Sequence, residues 1–303
     1  MINNYLFSFG RYQRPFLYPL QTAHGSWSVR EGLIIQLVDG AGKKYWGEIA
    51  PIPWFGSESL EQAIDFCNSL GDLVSWPVEI PANLPATQFA FNAAILYGYE
   101  PLAPVIENVA WSILLPAGVK ALTAWQQPWE LGHRTFKWKI GVTGVAKELA
   151  IFDRLLAVLP MGVNLRLDAN AGLSYDDACT WLSALSISSI EFLEQPVASL
   201  SEMLRLADQY DVPLAIDELV SNLSKLRDCY EQGWRGIYVI KPSIAGSLQE
   251  LTEFIQEHQL DVVLSSSLES SIGQRVILRW AKEQGMLGRS AGFATSSWFA
   301  TEE

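Results

Sequence analysis

Five charged residues recur at near-even spacing in the second half of the chain. Lys139, Asp168, Glu194, Asp217 and Lys241 are separated by 29, 26, 23 and 24 residues. Each follows a short apolar run, in "TFKWKIG", "NLRLDAN", "IEFLEQP", "PLAIDE" and "GIYVIKP". That interval is one strand plus one helix, which puts the five at equivalent ends of five consecutive parallel strands, the second to the sixth, where barrel enzymes keep their chemistry. Asp168, Glu194 and Asp217 would then be neighbours. Three adjacent carboxylates do not all stay ionised unless a cation neutralises them. An oxygen-only set without His or Cys selects Mg2+, or Mn2+ as a substitute, over zinc. On the second and sixth strands of eight, Lys139 and Lys241 would face each other across the mouth. A divalent cation and two amines around a bound small-molecule carboxylate suit removal of the proton next to that carboxylate and stabilisation of the resulting enediolate.

The base must be neutral near pH 7, and "KWK" at 137–139 bears on how. Lys137 and Lys139 point the same way from one strand. Either Lys137 lowers the pKa of Lys139 by repulsion, or it pairs with an acid deeper in the barrel, and the two readings carry equal weight. Lys139 lies nearer the C-terminal mouth and is expected to exchange the proton. Arg166 is expected either to touch substrate or to hold Asp168 or Glu194. Asn170 and Glu218 are expected behind the metal and Lys241. Ser265 and Ser267, in "SSSLESSIG", share a face if the strand continues, and their hydroxyls could bind a second carboxylate. Trp138 and Trp181 belong to packing faces, whereas Trp54 and Phe55 sit in "PIPWFGS" (51–57), a loop able to close over an apolar ring.

Positioning these groups requires a scaffold, and the pattern supplies one. From about residue 108, eight short apolar runs alternate with amphipathic stretches such as "VAKELAIFDRLLAVL" and "LQELTEFIQEH", the eighth run ("GRSAGFAT") being weak. This predicts an α/β fold, a (β/α)8 barrel of the TIM type. A doubly wound sheet is the competitor, but neither GxGxxG nor GxxxxGK[ST] occurs, and no organic cofactor is expected. The first hundred residues read as strands followed by two helices, with a hairpin around Asp39–Gly42. The expected division is an α+β unit over 1–100, a barrel over 101–284, and a segment 285–303 that rejoins the first unit.

Bulk properties exclude other classes. The 303 residues carry a net charge of −12 and no basic run, which argues against nucleic acid or an anionic membrane as partner. Three cysteines without CxxC spacing argue against a disulfide framework or structural zinc, and a cytoplasmic location fits. The opening "MINNYLFSFGRYQRPF" has no apolar core of the kind a signal peptide needs, and no stretch is long enough to span a membrane. Monomer and homo-oligomer are equally compatible with the sequence.

The five ordered motifs "KWK", "RLDAN", "EFLEQP", "AIDE" and "IKPS" resemble the enolase superfamily in its muconate-lactonizing subgroup. Arg166, the compact length and "SSSLESSIG" make the chain most similar to the o-succinylbenzoate synthase family. That resemblance implies an α+β capping domain on a modified (β/α)7β barrel. It also implies Mg2+ held by Asp168, Glu194 and Asp217, with Lys139 and Lys241 as the catalytic pair. The implied reaction is a hydro-lyase step, dehydration of a cyclohexadiene carboxylate in menaquinone or phylloquinone biosynthesis. The same two-lysine arrangement is compatible with N-acylamino acid racemase, dipeptide epimerase or muconate cycloisomerase chemistry, and, in a different class, with a non-catalytic metal-binding barrel. Subgroups with a late-strand His base are disfavoured, since His24, His133 and His258 do not fall at late strand ends.

Overall fold

A computed structural model describes residues 3–22, 25–100, 109–185 and 190–300. His24 and the expected boundary segment 101–108 lie outside the described residues.

The N-terminal part is an antiparallel sheet in the order β3-β2-β1-β4, formed by β1 (Asn3–Thr22), β2 (Gly25–Val38), β3 (Lys44–Ile49) and β4 (Leu73–Trp76). The hairpin expected at Asp39–Gly42 closes with Gly42 N–H donating to the Asp39 carbonyl at 2.9 Å. At the far end of the β1–β2 pair, Leu20, Gln21 and Thr22 stay paired with Trp27, Ser26 and Gly25 in a long arm. Beneath the sheet lie the helices Leu60–Leu70 and Pro85–Tyr97. The first starts with a capping box between Ser59 and Gln62.

The second part is a parallel sheet in sequence order: β5 (Ser112–Leu115), β6 (Thr135–Lys139), β7 (Asn164–Asp168), β8 (Phe192–Glu194), β9 (Leu214–Ile216), β10 (Ile237–Ile240) and β11 (Val262–Leu264). Continuous apolar runs such as Ile237–Ile240 are buried on both faces, as parallel strands require. Intervening helices begin at side-chain caps, Ser174, Ser199, Asn222, Ser247 and Ser270, each accepting a backbone N–H of the first turn. The weak eighth strand shrinks to two single bridges, Ala291 to Trp111 and Gly292 to Ser265. These join the two edges of the seven-stranded sheet. The ring is thus a modified TIM barrel, with side-chain packing and not a full ladder at its seam.

Two junctions fix the cap on the barrel. Helix Pro85–Tyr97 has no polar face to spare: Phe89 and Ala93 belong to the barrel core, while Ala86, Ala90, Phe91 and Ala94 belong to the cap core with Ile244 of the barrel. Glu48, fully buried on β3, receives the Tyr12 hydroxyl, the Ser270 N–H and the Gly273 N–H at the start of helix Ser271–Glu283. A carboxylate at a helix N-terminus is favoured by unpaired N–H groups and by the helix dipole. Gly273 leaves room for it, since a Cβ there would lie 2.6 Å from Glu48 Oε2. We expect Glu48→Ala to lose about 3 kcal/mol by stranding these buried donors, read as a lower Tm, with Glu48→Gln recovering part. An unchanged Tm would show that the junction is held by the shared helix alone.

Candidate active site

Asp168 and Glu194 sit side by side on paired strands, and Asp217 follows the last residue of β9. With Lys137, Arg166, Asn170 and Lys241 they line one cavity of about 240 Å3 at the C-terminal ends of the strands. Its remaining wall is uncharged: Ser112, Leu114, Val239, Ser265, Leu268 and Trp298 among others.

Lys137 resolves toward pairing. Its ammonium lies 2.8 Å from Asp168 Oδ2 and 2.7 Å from Glu194 Oε1. Burial works against that charge, but the fields of Asp168, Glu194 and Asp217 outweigh it and hold Lys137 well above the ordinary lysine range. A cation so neutralised has little repulsion left to exert on Lys139, so the tuning role expected as one alternative is not what the geometry provides. Lys241 likewise pairs with Asp217, beneath the Phe55 ring at 4.1 Å from its centroid.

Lys139 departs from expectation. Its register partner is Asp168, which puts it at the rim of β6, exposed and outside the cavity lining. The two amines inside the cavity are therefore Lys137 and Lys241, and Lys139 stands at the mouth. Among the described residues it forms no ion pair. The turn that follows is rigid, with Glu148 accepting the N–H groups of Gly141, Val142 and Thr143 at 2.8–2.9 Å.

Other groups hold the acids in place. Asn170, at φ 43°, gives its N–H to Asp168 Oδ1 at 3.0 Å and its amide to Asp168 Oδ2 and Glu218 Oε1. Glu218 thus meets Asn170, not Lys241. Gln195 was not singled out from sequence, yet its fully buried side chain accepts the Asp217 N–H at 3.0 Å and donates to the Val197 carbonyl. Nothing in a lone Gln after a glutamate signals this; the bond exists because φ 38° at Gln195 turns the side chain toward β9. Arg166 holds neither Asp168 nor Glu194. It grips Glu191 at 2.8 Å and 3.2 Å, and Glu191 is also bound by Arg289. Ser265 lines the cavity, but Ser267 does not. The strand ends at Leu264 and Leu268 turns to φ 64°, which breaks the period of two, so Ser267 bonds inward to Ser243 and Glu269.

Whether these residues suit a cation can be judged from their charge. Burial, then repulsion from Asp168, pushes Glu194 up to about 8 despite Lys137. Burial and Asp217 push Glu218 up to about 7, and its Oε2 is buried without a partner. Among the described residues no three such side chains stand at metal-binding spacing, and each of the three acids is in contact with an ammonium group, Asp168 and Glu194 with Lys137 and Asp217 with Lys241. The donor set is all oxygen and over-acidic, which suits a hard divalent cation if the amines yield by rotation about their long stems.

Comparison with known proteins agrees with this arrangement. Residues 120–281 match the model of the enolase C-terminal domain-like family, and residues 8–97 match the MenC N-terminal domain. The o-succinylbenzoate synthase of Thermosynechococcus vestitus is 35% identical over 95% of this chain and 91% of its own. That of Haemophilus influenzae is 30% identical over 84% of this chain and 79% of its own. The chain belongs to the o-succinylbenzoate synthase family of the enolase superfamily. A crystal structure of the synthase from Thermosynechococcus elongatus BP-1, complexed with Mg in its active site, superposes with a TM-score of 0.92 at 33% identity, covering 98% of this chain and 95% of that one. As a member of the o-succinylbenzoate synthase family this chain is a lyase, and the cavity is where its charged strand ends converge. No helix among the described residues is long and apolar enough to cross a membrane.

Proposed function

We propose that this chain is an o-succinylbenzoate synthase. In this reading it dehydrates 2-succinyl-6-hydroxy-2,4-cyclohexadiene-1-carboxylate to 2-succinylbenzoate, with Asp168, Glu194 and Asp217 holding Mg2+. The observation that carries it is one cavity lined by that acid row together with Lys137, Arg166 and Lys241, with an uncharged wall elsewhere among the described residues. When bound, the ion supplies positive charge to the substrate carboxylate and to the enediolate formed from it. Lys139, which among the described residues forms no ion pair, takes the proton from the carbon that bears the carboxylate. The electron pair passes into the carboxylate as an enediolate, and Lys241 stays protonated to stabilise that charge. The enediolate then collapses, the ring carbon–hydroxyl bond breaks, and Lys139 returns its proton to the departing hydroxide as water. The product ring is aromatic, so the step runs downhill. Apart from the three acids no carboxylate among the described residues lines the cavity, so a substrate with a free ammonium finds no further counter-charge among them.

The test is an ultraviolet assay of the cyclohexadiene substrate. We expect turnover with Mg2+ and loss of at least about a hundredfold in EDTA, restored by added Mg2+. Turnover unaffected by EDTA would remove the metal assignment. No product from the intact enzyme, alongside deuterium exchange into an N-acylamino acid in D2O, would move the assignment to a racemase.

A further inference from the structure

We propose that Trp298 selects the substrate's ring, giving the cavity an indole face for the diene side of a six-membered carbocycle and for the aromatic ring it becomes; this rests on the function proposed above. Trp298 lies on no barrel strand. It closes the single turn Ser296–Trp298, its N–H donating to the Thr295 carbonyl at 3.1 Å, and among the described residues it is the one aromatic side chain lining the cavity.

The chain is anchored on both sides of it. Before the turn, Gly292 accepts the Ser266 N–H at 3.1 Å on the barrel. After it, Phe299 is buried against Phe16 of β1, with ring centroids 4.9 Å apart, and Arg14 lies 3.7 Å over the same ring. Ala300 N–H then donates to the Pro15 carbonyl at 3.0 Å. Trp27 closes the cluster edge-on to Phe16 at 5.1 Å, and Leu268, itself in the cavity wall, packs within it. Phe299 therefore does the anchoring that core packing needs. Trp298 is only half-buried: it packs against the same cluster from one side and also lines the cavity.

Such a placement suits recognition more than stability. The charged side of the cavity can orient any carboxylate, but it does not distinguish a ring from an open chain. An indole can, because stacked rings gain from dispersion and from their quadrupoles beyond simple burial. Ser265, Leu114 and Leu268 add small or aliphatic contacts that leave the indole as the planar surface.

The experiment compares wild type, Trp298→Ala and Trp298→Phe, all with Mg2+ present. Two things are measured: kinetics on the cyclohexadiene substrate, and calorimetric binding of 2-succinylbenzoate against succinate. Expected for Trp298→Ala is a KM raised about tenfold with kcat within about twofold, and loss of the preference for the aromatic ligand. Trp298→Phe should restore most of both. Unchanged KM and an unchanged preference would overturn the proposal. Equal weakening of both ligands with a lower Tm would also overturn it, since that is a structural effect. If wild type turns over no cyclohexadiene yet prefers the aromatic ligand, and Trp298→Ala loses that preference, the assignment of Trp298 stands and the proposed reaction falls.

Discussion

Lys139→Ala should lower kcat by about a thousandfold or more while Mg2+ binding, followed by calorimetry, stays within a factor of about two. General-base groups contribute on the order of a hundred- to ten-thousandfold, and loss of a group that both takes and returns the proton sits at the upper end. The choice of Lys139 follows from pairing. Lys137 is locked between Asp168 and Glu194 at 2.8 and 2.7 Å, whose fields bias it toward the protonated state, and Lys241 is bound to Asp217. Lys139, at the rim beside Asp168, carries no such partner among the described residues. It stands outside the cavity lining, so its side chain must swing inward when substrate binds. The contrast is Lys137→Met, which strands two acids and should lower Tm as well as rate. If Lys139→Ala keeps a rate within about tenfold of wild type, Lys139 is not the base, and the pair inside the cavity must be reconsidered.

Glu194→Gln should abolish measurable Mg2+ binding and reduce turnover by about a thousandfold or more, the scale of losing a metal that polarises a carboxylate. It should also cost stability, because Lys137 would lose one of its two carboxylate partners. Breaking one arm of a buried ion pair typically costs about 3–5 kcal/mol, and the shape-conserving amide brings the loss toward the lower end. The two readouts separate two roles for Glu194. A protein that loses Tm but retains Mg2+-stimulated turnover would show that Glu194 serves only as counter-ion to Lys137. Loss of Mg2+ binding with an intact Tm would show that the acid serves the metal alone. The proposed site requires both effects, with the cation and the ammonium sharing one buried carboxylate.

Much of the site was legible in the chain because a barrel repeats. Each strand-plus-helix unit returns the polypeptide to the same rim, so Asp168, Glu194, Asp217 and Lys241 could be placed together by counting. The caps at Ser174, Ser199 and Ser247 mark where each helix starts, and apolar runs mark the strands. Periodicity of this kind is local, and local rules survive folding when every neighbouring unit obeys them.

What counting could not supply was how the charges pair. Lys137 and Lys139 obey the same strand rule, yet one is half-buried between two carboxylates and the other is exposed at the rim. That difference depends on depth in the ring and on the acids of two other strands, which no local pattern encodes. Ser267 leaves the face of Ser265 because the chain bends at Leu268, and Arg166, though it lines the cavity, is gripped by Glu191 just before the next strand. Gln195, Glu48 and Trp298 take their roles from contacts that span 22, 222 and the whole barrel-to-cap seam. Sequence settled which elements form and which residues share an end of the barrel, since those follow from period and spacing. Tertiary structure alone decided which charge neutralises which and what covers the cavity, since electrostatic pairing and packing act through distance in space and are indifferent to distance along the chain.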